Sequence, residues 1–210
     1  MSIDVSQHGS AGAPAASNIA FYYDFSSPES YLALERFAKS IGAFAPELVP
    51  VRESELDPLP TPDDDARRAH LESLAEGQDV LPFVWPEGFP DLDTTDAVTV
   101  ATYAKSIGKV AVFSLSLFRQ VYAGGRDPAA IETLYLAAAA SEIHPRAVDQ
   151  ALSRSKPAED ADAGTALARE QGVVSVPTLR LGQRLLVGPA LMEDATGVLK
   201  AALEALADEH

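Results

Sequence analysis

Ile19-Ala20-Phe21-Tyr22-Tyr23 runs directly into Asp24-Phe25-Ser26-Ser27-Pro28-Glu29-Ser30-Tyr31-Leu32, and this junction decides the fold. The first segment is short, aromatic and apolar, as a buried strand is. The second opens a helix. Ser26 or Ser27 can accept hydrogen bonds from its free amides, and Pro28 suits the first helical position because its missing N–H costs nothing there. Tyr31, Leu34, Phe37, Ala38 and Ile41 then fall on one face, and Gly42 sits where the helix would end.

Outward from this junction, Leu48–Arg52 reads as a second strand, with Pro50 placing it at a sheet edge because proline has no amide to donate. Strand, helix and strand in this order predict a βαβ unit with parallel strands. Asp57 to Pro62 is a loop by composition. The pattern is then helical as far as Gln171, with helices expected over Asp63–Glu76, Thr95–Ile107, Val110–Ala123, from Asp127-Pro128 through Ala140, Pro145–Arg154 and Glu159–Gln171. Leu81 to Pro90 interrupts them as an irregular apolar loop. Beyond Gly172 the period changes again. Thr178–Leu181 and Arg184–Val187 flank the two-residue turn Gly182-Gln183, and a last helix carries Leu191, Ala195, Val198, Leu199, Ala202, Leu203 and Leu206 on one stripe. Neither strand pair can bury both faces alone, so both must share one sheet. The expected organisation is α/β: a tail over 1–18, a split domain over 19–60 and 172–210, and a helical insertion over 61–171.

Composition bounds the function. The chain has 210 residues with 31 acidic and 16 basic side chains, a net charge of −15, and no cysteine. That charge opposes binding to nucleic acid or to an acidic membrane surface. The missing cysteines exclude disulfides, thiolate metal sites and cysteine nucleophiles. Residues 1–18 have neither the basic start nor the apolar run of a signal peptide, and no run of about 18 apolar residues suggests a membrane span. A cytoplasmic location is the default expectation. The histidines His8, His70, His144 and His210 lack the spacing of a helical metal site, so none is expected. No Gly-x-Ser-x-Gly elbow marks a hydrolase.

The chemistry points to the start of the first helix. It lies outside the carboxyl end of a strand, where open α/β sheets place ligands, and its free amides favour an anion. Ser26 and Ser27 either cap the helix or present hydroxyls to that anion. Val176-Pro177, after Gly172 and just before the third strand, is the second feature: a cis peptide there would expose the Val176 backbone to a ligand. Phe83, Trp85 and Phe89 either wall an apolar substrate pocket or join the core. Asp63-Asp64-Asp65 reads as a charge cluster at a helix start rather than a cation site.

Phe21-Tyr-Tyr-Asp-Phe-Ser-Ser-Pro-Glu-Ser-Tyr-Leu32 resembles the opening of 2-hydroxychromene-2-carboxylate isomerases and kappa-class glutathione transferases, in the DsbA-like branch of the thioredoxin superfamily. Gly172-Val-Val-Ser-Val-Pro-Thr178 resembles that branch's cis-proline loop. The resemblance implies a thioredoxin-like fold with a helical insertion. The branch's oxidoreductases carry Cys-Pro-x-Cys where this chain has Ser27-Pro28-Glu29-Ser30, so redox chemistry through this motif is excluded. For the isomerases and transferases the resemblance implies a bound glutathione or another low-molecular-weight thiol. Ser27 would be the catalytic residue, hydrogen-bonding the sulfur and lowering its pKa, with Ser26, Pro28, Val176 and Pro177 around the cofactor. In the isomerases the thiolate adds to a conjugated substrate, allows rotation and leaves. The same resemblance implies a small-molecule substrate and a homodimer. One departure is plain: Gly188-Pro189-Ala190-Leu191 replaces the Gly-x-Asp-Arg-like stretch whose acid helps to bind glutathione, leaving Glu193 or Asp194 to substitute. The competing readings are a non-catalytic binding protein on this fold and a hydrolase using Ser27, the latter needing a general base.

Overall fold

The computed structural model describes residues 19–40, 46–57, 63–188, 191 and 197. The expected tail over 1–18, the helix end at Ile41 and Gly42, the loop prolines Pro58, Pro60 and Pro62, the Pro189-Ala190 turn, Glu193, Asp194 and nearly all of the last helix lie outside the described residues.

The chain begins with strand β1 (Ile19–Tyr23), helix α1 (Pro28–Ser40) and strand β2 (Glu47–Pro50). Among the described residues six α-helices follow: α2 (Asp64–Gly77), α3 (Thr95–Ser106), α4 (Val110–Tyr122), α5 (Ile131–Ala140), α6 (Pro145–Ser153) and α7 (Ser155–Glu170). Strands β3 (Thr178–Leu181) and β4 (Arg184–Val187) close the sheet. Its order is β2-β1-β3-β4, with β1 parallel to β2 and both other pairings antiparallel. Pro50 therefore sits on an edge strand, where its missing N–H leaves no ladder bond unmade. Leu181 pairs directly with Arg184 across the Gly182-Gln183 turn, and Gly182 takes the positive φ of 58° that such a turn requires.

The period-two alternation of β1 sorts its side chains onto two faces. Phe21 and Tyr23 join the larger core with α1, α3, α4 and α5. Ala20 and Tyr22 face a smaller one with Val51, Leu56, Ala168 of α7 and Val173. The helices between the two halves of the sheet thus contribute to the same buried clusters as the sheet itself. A Tyr23–Ser114 hydroxyl pair at 2.6 Å and the Tyr122 hydroxyl, which donates to the Phe25 carbonyl at 2.9 Å, tie the β1–α1 turn to α4. Among the described residues no helix is long and apolar enough to cross a membrane.

Two helix starts differ from the sequence reading. Asp127-Pro128 does not open α5. The Asp127 carboxylate accepts from the Ala129 N–H at 2.9 Å within a separate turn, and the helix begins at Ile131. Asp-Pro fits the first two positions of a type I turn as well as it fits a helix start. Helix α7 begins at Ser155, ahead of the expected Glu159, because Pro157 falls in its first turn, where an N–H has no helical partner to lose. Asp63 caps α2 by accepting from the Asp65 and Ala66 amides.

Candidate functional site

Ser27 is the N-cap of α1. Its Oγ accepts from the Ser30 N–H at 3.1 Å, satisfying one of the free amides of the first turn, and donates to Glu29 Oε2 at 3.2 Å. The residue is 1 % exposed, and Pro28 beside it is also buried. Capping and a role toward a ligand are compatible, because a hydroxyl oxygen has two lone pairs and a rotatable proton.

Asp24 builds the turn that carries the serines. Its buried carboxylate accepts from the Ser26 N–H at 3.2 Å and the Glu53 N–H at 2.6 Å, and also from the Phe25 N–H and the Thr94 hydroxyl. Burial pushes its pKa up, and these four bonds hold it back.

Glu53, in a short 3-10 turn (Glu53–Glu55) after β2, joins the two sequence motifs. It accepts from Ser26 Oγ at 3.1 Å on one side and from the Val176 N–H on the other. The Val176–Pro177 peptide is cis. Burial first, then the charge of Asp24, pushes the Glu53 carboxyl up to about 7; the bonds from Ser26 and Val176 act against this rise, and Glu29 adds to it.

Glu29 is neutralised by Arg67 of α2, whose Nε and Nη2 donate to its two carboxylate oxygens at 2.6 Å each. Both side chains are largely buried, at 13 % and 15 % exposure for Arg67 and Glu29. The same guanidinium lies 5.5 Å from the centroid of the Phe89 ring, and Arg68 lies 5.0 Å from it and 5.1 Å from that of Trp85. Phe83 stacks on Trp85 at 4.7 Å, and Trp85 meets Phe89 at 4.7 Å. Phe89 is buried, while Phe83 and Trp85 are half-buried, so the aromatic loop is part core and part accessible wall.

The structure thus brings Ser26 and Val176 to one carboxylate and Ser27 to another. Sequence reasoning missed Glu53, Arg67 and the capping network of Asp24. Only Asp24 left a signal, as an aspartate two residues before a serine in a turn. His144 caps α6 through Nδ1, and no group of His, Asp and Glu suited to a metal occurs among the described residues. An apolar cavity of about 400 Å³ lies at the other end of α1, between Leu34, Phe37, Pro46, Leu48, Val112 and Leu115, away from the serines.

Among solved structures, a 2-hydroxychromene-2-carboxylate isomerase is 22 % identical with a TM-score of 0.77, the match covering 91 % of this chain and 96 % of that one. A cytosolic disulfide reductase, DsbM, from Pseudomonas aeruginosa, solved with GSH, is 19 % identical with a TM-score of 0.62, over 89 % and 98 % of the two chains. The oxidoreductase DsbA from Xylella fastidiosa is 14 % identical with a TM-score of 0.57, over 93 % and 90 %. At these identities the likeness is one of fold. No curated protein matches the chain. The model of the DSBA-like thioredoxin domain matches residues 18–200, and the chain therefore belongs to the DSBA-like thioredoxin family.

Proposed function

We propose that this protein is a thiol-dependent isomerase or transferase acting on a small conjugated or aromatic substrate, with glutathione or a related thiol held at Ser27. The observation that carries the reading is the meeting of the Ser26-Ser27 helix start with the Val176 amide, bridged by one carboxylate. The reaction class comes from the isomerase that shares the fold, and the thiol from the reductase solved with GSH. A dithiol mechanism is closed to a chain without cysteine.

The residues fit such a group. Ser27 Oγ and the α1 N-terminus would face the sulfur, Val176 and Pro177 would hold the backbone beside it, and Ser26 and Pro28 would border it. Ser30 Oγ is fully buried in the first turn without a hydrogen-bond partner, leaving donor capacity at this spot. A bound thiol would supply a nucleophilic sulfur able to add to a conjugated substrate and leave again. The half-buried Phe83 and Trp85, linked to the site through Phe89, Arg67 and Glu29, offer a flat wall for that substrate.

Titration calorimetry with reduced glutathione and with mycothiol tests the proposal. Ser27→Ala is expected to weaken thiol binding about tenfold or more and to lose about 1 kcal/mol of stability with the cap. Ser27→Thr, which keeps the hydroxyl, is expected to retain both. Equal affinity in Ser27→Ala would move the site elsewhere. Failure of the folded wild type to bind either thiol would leave a non-catalytic binding protein as the better account.

A further inference from the structure

We propose that Glu53 is the proton acceptor of this site: it takes up, across Ser26, the proton that a thiol gives up on binding at Ser27, and in doing so releases the Val176 amide to the ligand. The inference rests on the thiol reading above.

The helix start presents a conflict that the proposal resolves. A helix N-terminus favours a thiolate, yet this one is surrounded by carboxylates. Asp24 lies in the β1–α1 turn, Glu29 on α1 and Glu53 after β2, and only Glu29 has a bidentate cation, Arg67. An additional negative charge would be repelled by Asp24 and Glu53 in a partly desolvated setting. If the proton stays in the site, the net charge does not change. The thiol S–H bond breaks, the sulfur keeps the electron pair, and an O–H bond forms on Glu53; nothing is oxidised or reduced.

Geometry singles out Glu53. It is the carboxylate bonded to the hydroxyl of Ser26, the neighbour of Ser27, so a proton can pass through that hydroxyl. Glu29 is held by Arg67, and Asp24 by three backbone amides and Thr94. Glu53 also accepts from the Val176 N–H, the group that a ligand backbone would need. A neutral carboxyl gives up that amide at a lower cost than a carboxylate does, because hydrogen bonds to the charged form are the stronger ones. Proton uptake and backbone docking therefore become one event. The carboxyl is also poised for it, being pushed up to about 7 by burial and by Asp24. The charged and titratable groups around it are Asp24, Glu29 on α1, Arg67 on α2, Tyr122 on α4, and Arg52 and Glu55 in its own turn.

The test is calorimetric titration of the full chain with reduced glutathione at pH 8, in two buffers of different ionisation enthalpy, which counts protons released to solvent. Wild type is expected to release close to none per thiol bound, and Glu53→Gln, which cannot accept a proton, about one. Equal release from both proteins, or about one proton from wild type, would overturn the proposal while leaving thiol binding intact. Absence of heat with glutathione and with mycothiol in both folded proteins would instead overturn the thiol reading, and this inference with it.

Discussion

Arg67→Met is expected to destabilise the protein by about 3–5 kcal/mol at pH 8, the range for removing one partner of a buried ion pair. Arg67 donates twice to Glu29, and both side chains are largely buried. Without the guanidinium, Glu29 becomes an uncompensated carboxylate near Glu53 and Asp24, whose charges already oppose one another. Methionine preserves the apolar packing of the arginine stem against Phe89, so the loss reads the charge rather than the volume. The double variant Arg67→Met/Glu29→Gln, which removes both charges, should recover most of the loss. Urea denaturation of the three proteins at pH 8 measures this. A loss below about 1 kcal/mol at pH 8 would show that the pair behaves as an exposed one.

The second large effect has the opposite sign. Glu53→Gln is expected to stabilise the protein above pH 7, by up to about 3 kcal/mol. In the unfolded chain this carboxyl ionises at about its ordinary value of 4.5, whereas the fold holds it to about 7. Between these values the folded state binds the proton more tightly than the unfolded state does. Its stabilising contribution is therefore complete below pH 4.5 and lost as pH rises to 7, beyond which it stays lost. Glutamine does not ionise and escapes that loss. Asp24 is also raised by burial and tilts the profile the same way, and the loss of its repulsion with Glu53 in the variant adds to the difference between the two proteins. Melting temperatures from pH 4 to 8 should diverge with rising pH. Curves that stay parallel, or a variant less stable than wild type at pH 8, would contradict the assignment.

Local chemistry made much of the fold legible. An apolar strand that stops at a serine-capped, proline-started helix has few alternatives, and the Gly182-Gln183 turn fixes the last hairpin by its backbone requirement alone. Pro50 marked the edge strand for the same kind of reason. The starts of α5 and α7 were less legible because proline suits turns and first helical turns alike. In the site, Ser27 was visible because capping is a local property. Glu53 and Arg67 were not. They come from a turn after β2 and from α2, and they meet the serines only through the parallel β1–β2 pairing and the packing of α2. No spacing in the sequence encodes that meeting.

The most direct test of the central claim is the ionisation state of a thiol bound at Ser27, read from the ultraviolet absorbance of the thiolate as wild type is added to reduced glutathione at pH 7. Thiolate absorbance that grows with saturation, and is lost in Ser27→Ala, is the result expected if the helix start and Glu53 together poise the sulfur. Glutathione that binds without any gain in thiolate absorbance would contradict the account, because the site would then hold the tripeptide without activating it.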